Sequence, residues 1–109
     1  MSKPFRLTRQ AEESLIEIAR WTIEAFGARQ AEIYESELIA RCIAVANGEV
    51  ASRRCDLLIE GAEDLRYCRA GEHFLVFREQ HDLVVIVDIL HSRSDLPRHI
   101  AGLSARLTD

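Results

Sequence analysis

The chain has no unbroken apolar run near the roughly 18 residues that a membrane span requires. Its start, Met1-Ser2-Lys3-Pro4-Phe5, also lacks the apolar stretch of a secretion signal. A cytoplasmic protein with no membrane partner is therefore expected. There are only three cysteines, Cys42, Cys55 and Cys68, and no Cys-x-x-Cys pair. An odd set at these spacings argues against a disulfide framework and a zinc knuckle, so reduced thiols are expected. The four histidines fit no standard zinc or calcium spacing, and neither a Gly-rich phosphate loop nor a nucleophile elbow is present. No metal and no cofactor are expected. An excess of positive charge is missing too, since the formal net charge is −4, which argues against a broad electrostatic grip on nucleic acid. Aromatic residues make up only 6% of the chain, so its core must be mainly aliphatic.

What is present is an ordinary globular balance, 48% hydrophobic and 29% charged, in 109 residues. That length fits one domain spanning residues 1–109, which buries about two-thirds of its unfolded surface. Nearly all the cations are arginines, which suit planar carboxylate or phosphate partners. Glutamates crowd the first third, and most arginines come later.

Phe5-Arg6-Leu7 alternates like a short strand, and Thr8 is placed to cap a helix over Arg9 to Phe26. Leu15, Ile18, Thr22 and Phe26 form its inward stripe, and Gly27 closes it. A second helix carries Ala31, Tyr34, Leu38, Cys42 and Val45 before Asn47-Gly48 stops it. So short a joint makes the two helices an antiparallel hairpin. Glu49 to Asp64 has no clear period and reads as mostly loop with one extra turn of helix. Leu65 to Arg69, His73 to Arg78 and Leu83 to Leu90 then form an antiparallel meander, and Asp95 caps a short closing helix with Pro97 in its first turn. The expected fold is α+β, with a small four-stranded antiparallel sheet packed on a helical hairpin in the order β-α-α-β-β-β-α.

The hairpin has apolar surface to spare. On the first helix Ile16 and Ile23 flank the core stripe on one side and Trp21 on the other, while Ile39 and Ile43 widen the stripe of the second. One explanation is a hairpin set deep in the fold with the long loop over it. The sharper one is a partner helix laid into a groove, contacting Ile16, Trp21, Ile23, Tyr34, Ile39 and Ile43.

Leu7-Thr8 with Ala11-Glu12, Phe26-Gly27 with Gln30-Ala31 and Tyr34, Arg69-Ala70-Gly71-Glu72-His73 before Phe74-Leu75-Val76-Phe77-Arg78, and Ile89-Leu90-His91 followed by Arg93, Asp95, Arg98 and His99 occur in this order. With that ordered set, over most of its length, the chain resembles the ParE toxins of the RelE/ParE superfamily. The resemblance implies a toxin of a type II toxin–antitoxin system that stalls DNA gyrase on cleaved DNA. It implies neutralisation by a ParD-type antitoxin whose C-terminal segment wraps the toxin and whose other half binds operator DNA, so that operator contact comes only through the antitoxin. The chain departs from the family at Asp88, where an arginine is usual, and at the acidic Ala62-Glu63-Asp64. Both changes weigh against phosphate contact on those surfaces.

The alternative is a RelE-like ribosome-dependent mRNA endoribonuclease, which needs an acid, a base and cations on one face. Tyr67, Arg69, His73, His91 and Arg93, on or just after adjoining strands, are the candidates for that chemistry, and Arg69, His73, His91 and Arg93 also stand as candidate target-binding residues. The tail lacks the tyrosine and dense lysines that mRNA-cleaving relatives tend to show, so no catalytic residue is assigned and the protein is expected not to be an enzyme. A non-toxic relative, serving as a binding module in an operator complex, is the other alternative. A four-residue turn at Glu79 to Asp82 places His73 opposite Asp88, a cross-strand pair that is usually structural.

Overall fold

The computed structural model describes residues 3–107, so Met1, Ser2, Thr108 and Asp109 of the expected single domain lie outside the described residues. Strand β1 (Phe5–Leu7) leads directly into helix α1 (Arg9–Phe26), which is followed by α2 (Ala28–Ala46). Thr8 fixes the strand-to-helix corner. Its hydroxyl accepts from the Ala11 N–H at 3.1 Å and donates to the Val87 carbonyl at 2.6 Å, tying the helix start to the sheet. A single residue, Gly27, joins the two helices at φ 94°, ψ 165°, a conformation that side chains oppose. The hairpin joint is thus as tight as its sequence implies.

Beyond the hairpin come β2 (Arg53–Arg54), one 3-10 turn (Cys55–Leu57), β3 (Arg66–Ala70), β4 (His73–Glu79), β5 (Val84–His91) and α3 (Leu96–Leu107). The sheet has five strands in the order β1-β5-β4-β3-β2, and β1 runs parallel to β5 while the other pairs are antiparallel. This corrects the expected four-stranded antiparallel sheet in two respects. A three-residue strand carries no signal for its direction, and here the hydrogen bond from the Thr8 N–H to the Ile86 carbonyl holds it alongside β5. The fifth strand comes from the unperiodic loop, where Arg66 grips Ser52 through its hydroxyl at 2.6 Å and its carbonyl at 3.1 Å.

Both faces of the sheet are covered. One face packs Leu75, Phe77, Ile86 and Ile89 under Leu38, Cys42 and Val45 of the hairpin. The opposite face packs Val76, Val85, Val87 and Leu90 against Cys55, Ala62 and Leu65 of the loop and Ile100 and Leu103 of α3. Burial on two sides explains why Val84 to Leu90 reads as a nearly continuous apolar run. It also gives α3 more work than the short closing helix expected: the helix spans 12 residues and supplies two core side chains. Asp95 caps it through the Arg98 N–H at 3.3 Å.

The three cysteines are free and buried, and burial pushes the Cys42 and Cys55 thiols up to about 12 and raises that of Cys68. No helix among the described residues is long and apolar enough to cross a membrane.

Candidate functional groove

Beneath the C-terminal half of α1 lies a groove of about 700 Å³. Ile18, Trp21 and Phe26 form its α1 wall, Gln30 and Tyr34 come from α2, and Glu72, His73, Ile89, His91 and Arg93 come from the sheet's turns and strand ends. Trp21 is 61% exposed and Phe26 66%, and their rings meet edge to face with centroids 5.8 Å apart. Two large rings left this open by a small fold are unusual. Phe26 thereby corrects its assignment to the inward stripe. The helical period is right, but at that turn the stripe borders the open groove.

The polar end of the groove is held by Tyr34. Its hydroxyl accepts the Glu72 N–H at 2.9 Å, which leaves its own proton for His73 Nδ1 at 2.6 Å. The β3–β4 turn passes so close beneath it that a Cβ on Gly71 (φ 59°) would stand 2.9 Å from the Tyr34 ring. His73 is 9% exposed, and burial, with the nearby His91 adding to it, brings its imidazole down to about 4. His73 is therefore a neutral acceptor at pH 7, in keeping with a Tyr34 phenol that burial holds above its ordinary value. The ring of His91 lies 5.1 Å from that of His73, centroid to centroid, and His91 Nδ1 accepts the Arg93 N–H at 3.0 Å. His91 thus organises the turn after β5 while lining the groove.

The expected contact residues divide. Trp21 and Tyr34 share the groove with His73, His91 and Arg93, so the partner set and the target or catalytic set merge there. Arg69 lines a neighbouring hollow of about 260 Å³ with Arg41, Glu37 and Tyr34. Ile16, Ile23 and Ile43 are exposed and Ile39 is half-buried, yet none of the four lines the groove. Tyr67 packs edge to face on Phe74 and belongs to the core of the opposite sheet face.

The His73–Asp88 pair does not form. The turn sits one residue later than expected, so Glu79 pairs with Val84 and the register moves by two residues; a bulge between Val76 and Phe77 adds one more, so His73 faces His91. Asp88, 4% exposed, instead accepts from the Ser14 hydroxyl at 2.5 Å and the Ile89 N–H at 2.7 Å. Burial raises its carboxyl, and these hydrogen bonds partly offset that. Glu17, Ile18, Phe26, Gln30, Glu72 and Ile89 were not anticipated as lining residues. The only sequence signal for them was an aromatic at the last helical turn beside the joint. Among the described residues no group of three or more His, Cys, Asp or Glu side chains is arranged to hold a metal ion.

Residues 5–96 match the family described as the ParE toxin of the type II toxin–antitoxin system parDE. The chain belongs to the ParE toxin family. Its fold is similar to a solved structure titled as the chromosomal ParDE toxin–antitoxin system from P. aeruginosa, with a TM-score of 0.67 and 16% identity. That likeness covers 82% of this chain and 95% of the other. No curated protein matches the sequence. The ParE-family match extends from β1 through the start of α3 and so includes every residue lining the groove.

Proposed function

We propose that this ParE-family chain is a toxin that inhibits DNA gyrase and is neutralised by a ParD-type antitoxin seated in the groove beneath α1. The single observation that carries antitoxin docking is the exposed Trp21–Phe26 pair at the mouth of a groove the fold leaves unfilled. A helix or extended segment with apolar side chains would bury those rings, in a recurrent mode of peptide recognition. Operator DNA is contacted by the antitoxin, and the toxin acts in the cytoplasm by binding, with no cofactor.

The test is induced expression with and without the short frame next to the toxin's own, together with supercoiling by purified gyrase. Growth arrest, loss of supercoiling and rescue by the neighbour are expected, and Trp21→Ala should weaken rescue at least tenfold in the antitoxin dose required. Gyrase that supercoils normally in the presence of purified toxin would overturn the target assignment. A second reading, ribosome-dependent mRNA cleavage, is favoured by the convergence of His73, His91 and Arg93 on one groove. Glu17 and Glu72 in the same lining repel a phosphate backbone, so it ranks below gyrase inhibition. Cleaved message on ribosomes with unaffected gyrase would reverse that order. Inactivity in both assays, with the antitoxin still bound, would mark a non-toxic binding module.

A further inference from the structure

The outer edge of the sheet is only half covered. β2 pairs with β3 at Arg66 and Tyr67 and goes no further, so Cys68, Arg69 and Ala70 have no strand beside them on that side. The Cys55 N–H bonds to the Leu65 carbonyl, and Arg41 Nε donates to the Arg69 carbonyl at 3.0 Å. Alternate residues of β3 thus turn their backbone groups away from β4, and Arg69 is the last of them before the Gly71 turn. Its carbonyl is held by a side chain of α2, and among the described residues its N–H has no acceptor. An open strand edge is a template for a further strand, and charged side chains are a common way to blunt it. Arg41 does this for one of the two groups. The edge is also continuous with the groove. Gln30 and Tyr34 line the groove, Tyr34, Glu37 and Arg41 line the hollow of about 260 Å³ at the β3 edge, and their spacing puts all four on one side of α2.

We infer that the segment seated in the groove turns at Tyr34 and continues in extended form along the β3 edge, where one of its residues pairs with Arg69, accepting from the N–H and displacing Arg41 from the carbonyl. This rests on the reading that the groove takes the antitoxin, and it names where and in what conformation that chain leaves the groove. Between the end of β2 and the Gly71 turn there is room for about three residues, so the pairing is short. Cys68 and Ala70 face the hairpin and Arg69 the opposite side of the sheet, so the two neighbours of the pairing residue point toward α2. There the hollow offers Leu38 and Ala70 to an aliphatic side chain. Recognition at this point is by backbone and sets no charge on the segment. It requires only that the residue opposite Arg69 keep its own N–H, which excludes proline there.

The probe is the purified protein encoded by the short frame next to the toxin's own, added to the full chain, with amide hydrogen exchange read residue by residue by nuclear magnetic resonance. In the free chain the Arg69 amide should exchange almost as fast as in an unstructured peptide, while Cys68, whose N–H points to β4, exchanges slowly. In the complex Arg69 should slow by at least about a hundredfold. Two variants separate a strand from mere coverage. Arg69→Ala and Arg69→Pro both lose the guanidinium, but only proline also lacks the N–H, a loss that an outward position on an edge strand tolerates. The proline variant should bind the partner about fivefold more weakly than the alanine variant. Circular dichroism checks that both fold, and if Arg69→Pro does not, the exchange result decides alone. A bound complex in which Arg69 still exchanges fast, or two folded variants of equal affinity, would overturn the strand pairing while groove docking stands. No binding of the partner to the unaltered chain would overturn both.

Discussion

Replacing His73 by glutamine should flatten the acid side of the protein's stability profile. Burial brings the His73 imidazole from an ordinary 6.5 down to about 4, so between those values the unfolded chain binds a proton that the folded chain refuses. Stability from this group is therefore complete above about pH 6.5, falls as the pH drops toward 4, and changes no further below that. A shift of this size corresponds to a loss of up to about 3 kcal/mol, since each unit is worth roughly 1.4 kcal/mol. The side chain is 9% exposed, so solvent screening removes little of it. Asp88 acts in the opposite direction, because a carboxyl raised by burial takes up its proton more readily folded than unfolded and gains stability as the pH falls. The comparison must therefore be between two chains that share Asp88. The assay is urea unfolding followed by far-ultraviolet circular dichroism at several values between pH 7.5 and 4. Glutamine can still accept the Tyr34 hydroxyl proton but does not titrate. The wild type should lose about 2–3 kcal/mol more than His73→Gln over that range. Parallel curves would refute a buried, neutral His73.

Gly71→Ala should lower stability by about 2 kcal/mol, because alanine is strained at φ 59° and its Cβ meets the Tyr34 ring. A melting curve checks it, and an unchanged midpoint would show that Tyr34 does not clamp the β3–β4 turn. Asp88→Ala should cost about 2 kcal/mol by leaving the Ser14 hydroxyl and the buried Ile89 N–H without an acceptor. Asp88→Asn keeps an oxygen there and should cost less than half as much; equal losses in urea unfolding would contradict that account.

Much of the architecture was legible because its signals are local. The bounds of α1 follow from Thr8 and Gly27, and the hairpin follows from a joint too short for any other arrangement. What escaped was set at a distance. The direction of β1 depends on its pairing with Val84, Val85 and Ile86, nearly eighty residues away. The partner of His73 depends on a bulge that no local residue announces and on the place of the turn, which placed one residue early points it to Asp88 in place of His91. For the groove, Trp21 and Tyr34 were recognisable as surplus on a helical period. Ile16, Ile23, Ile39 and Ile43 share that property yet fall outside the lining, since a wheel tells which flank a residue occupies and not what stands opposite. Phe26 was misplaced for a related reason: periodicity continues into the turn that borders the open groove.

The distribution of hydrogen bonds within the groove decides how a partner gains affinity there. Tyr34 is already hydrogen-bonded to His73 and the Glu72 N–H, and His91 to the Arg93 N–H, before anything binds. A partner that competed for these groups would replace existing bonds by similar ones, and a net gain of about 1 kcal/mol is the most each exchange yields. Trp21, by contrast, stands 61% open, on the order of 100–150 Å² of mostly apolar surface. Covering it contributes roughly 3 kcal/mol before the costs of association. For the proposed docked segment, the polar end of the groove would thus serve as a stop that orients it, and the aromatic end would supply most of the affinity. Truncating Trp21 should therefore weaken a docked segment far more than removing the His73 imidazole, even though His73 is the more deeply built into the fold.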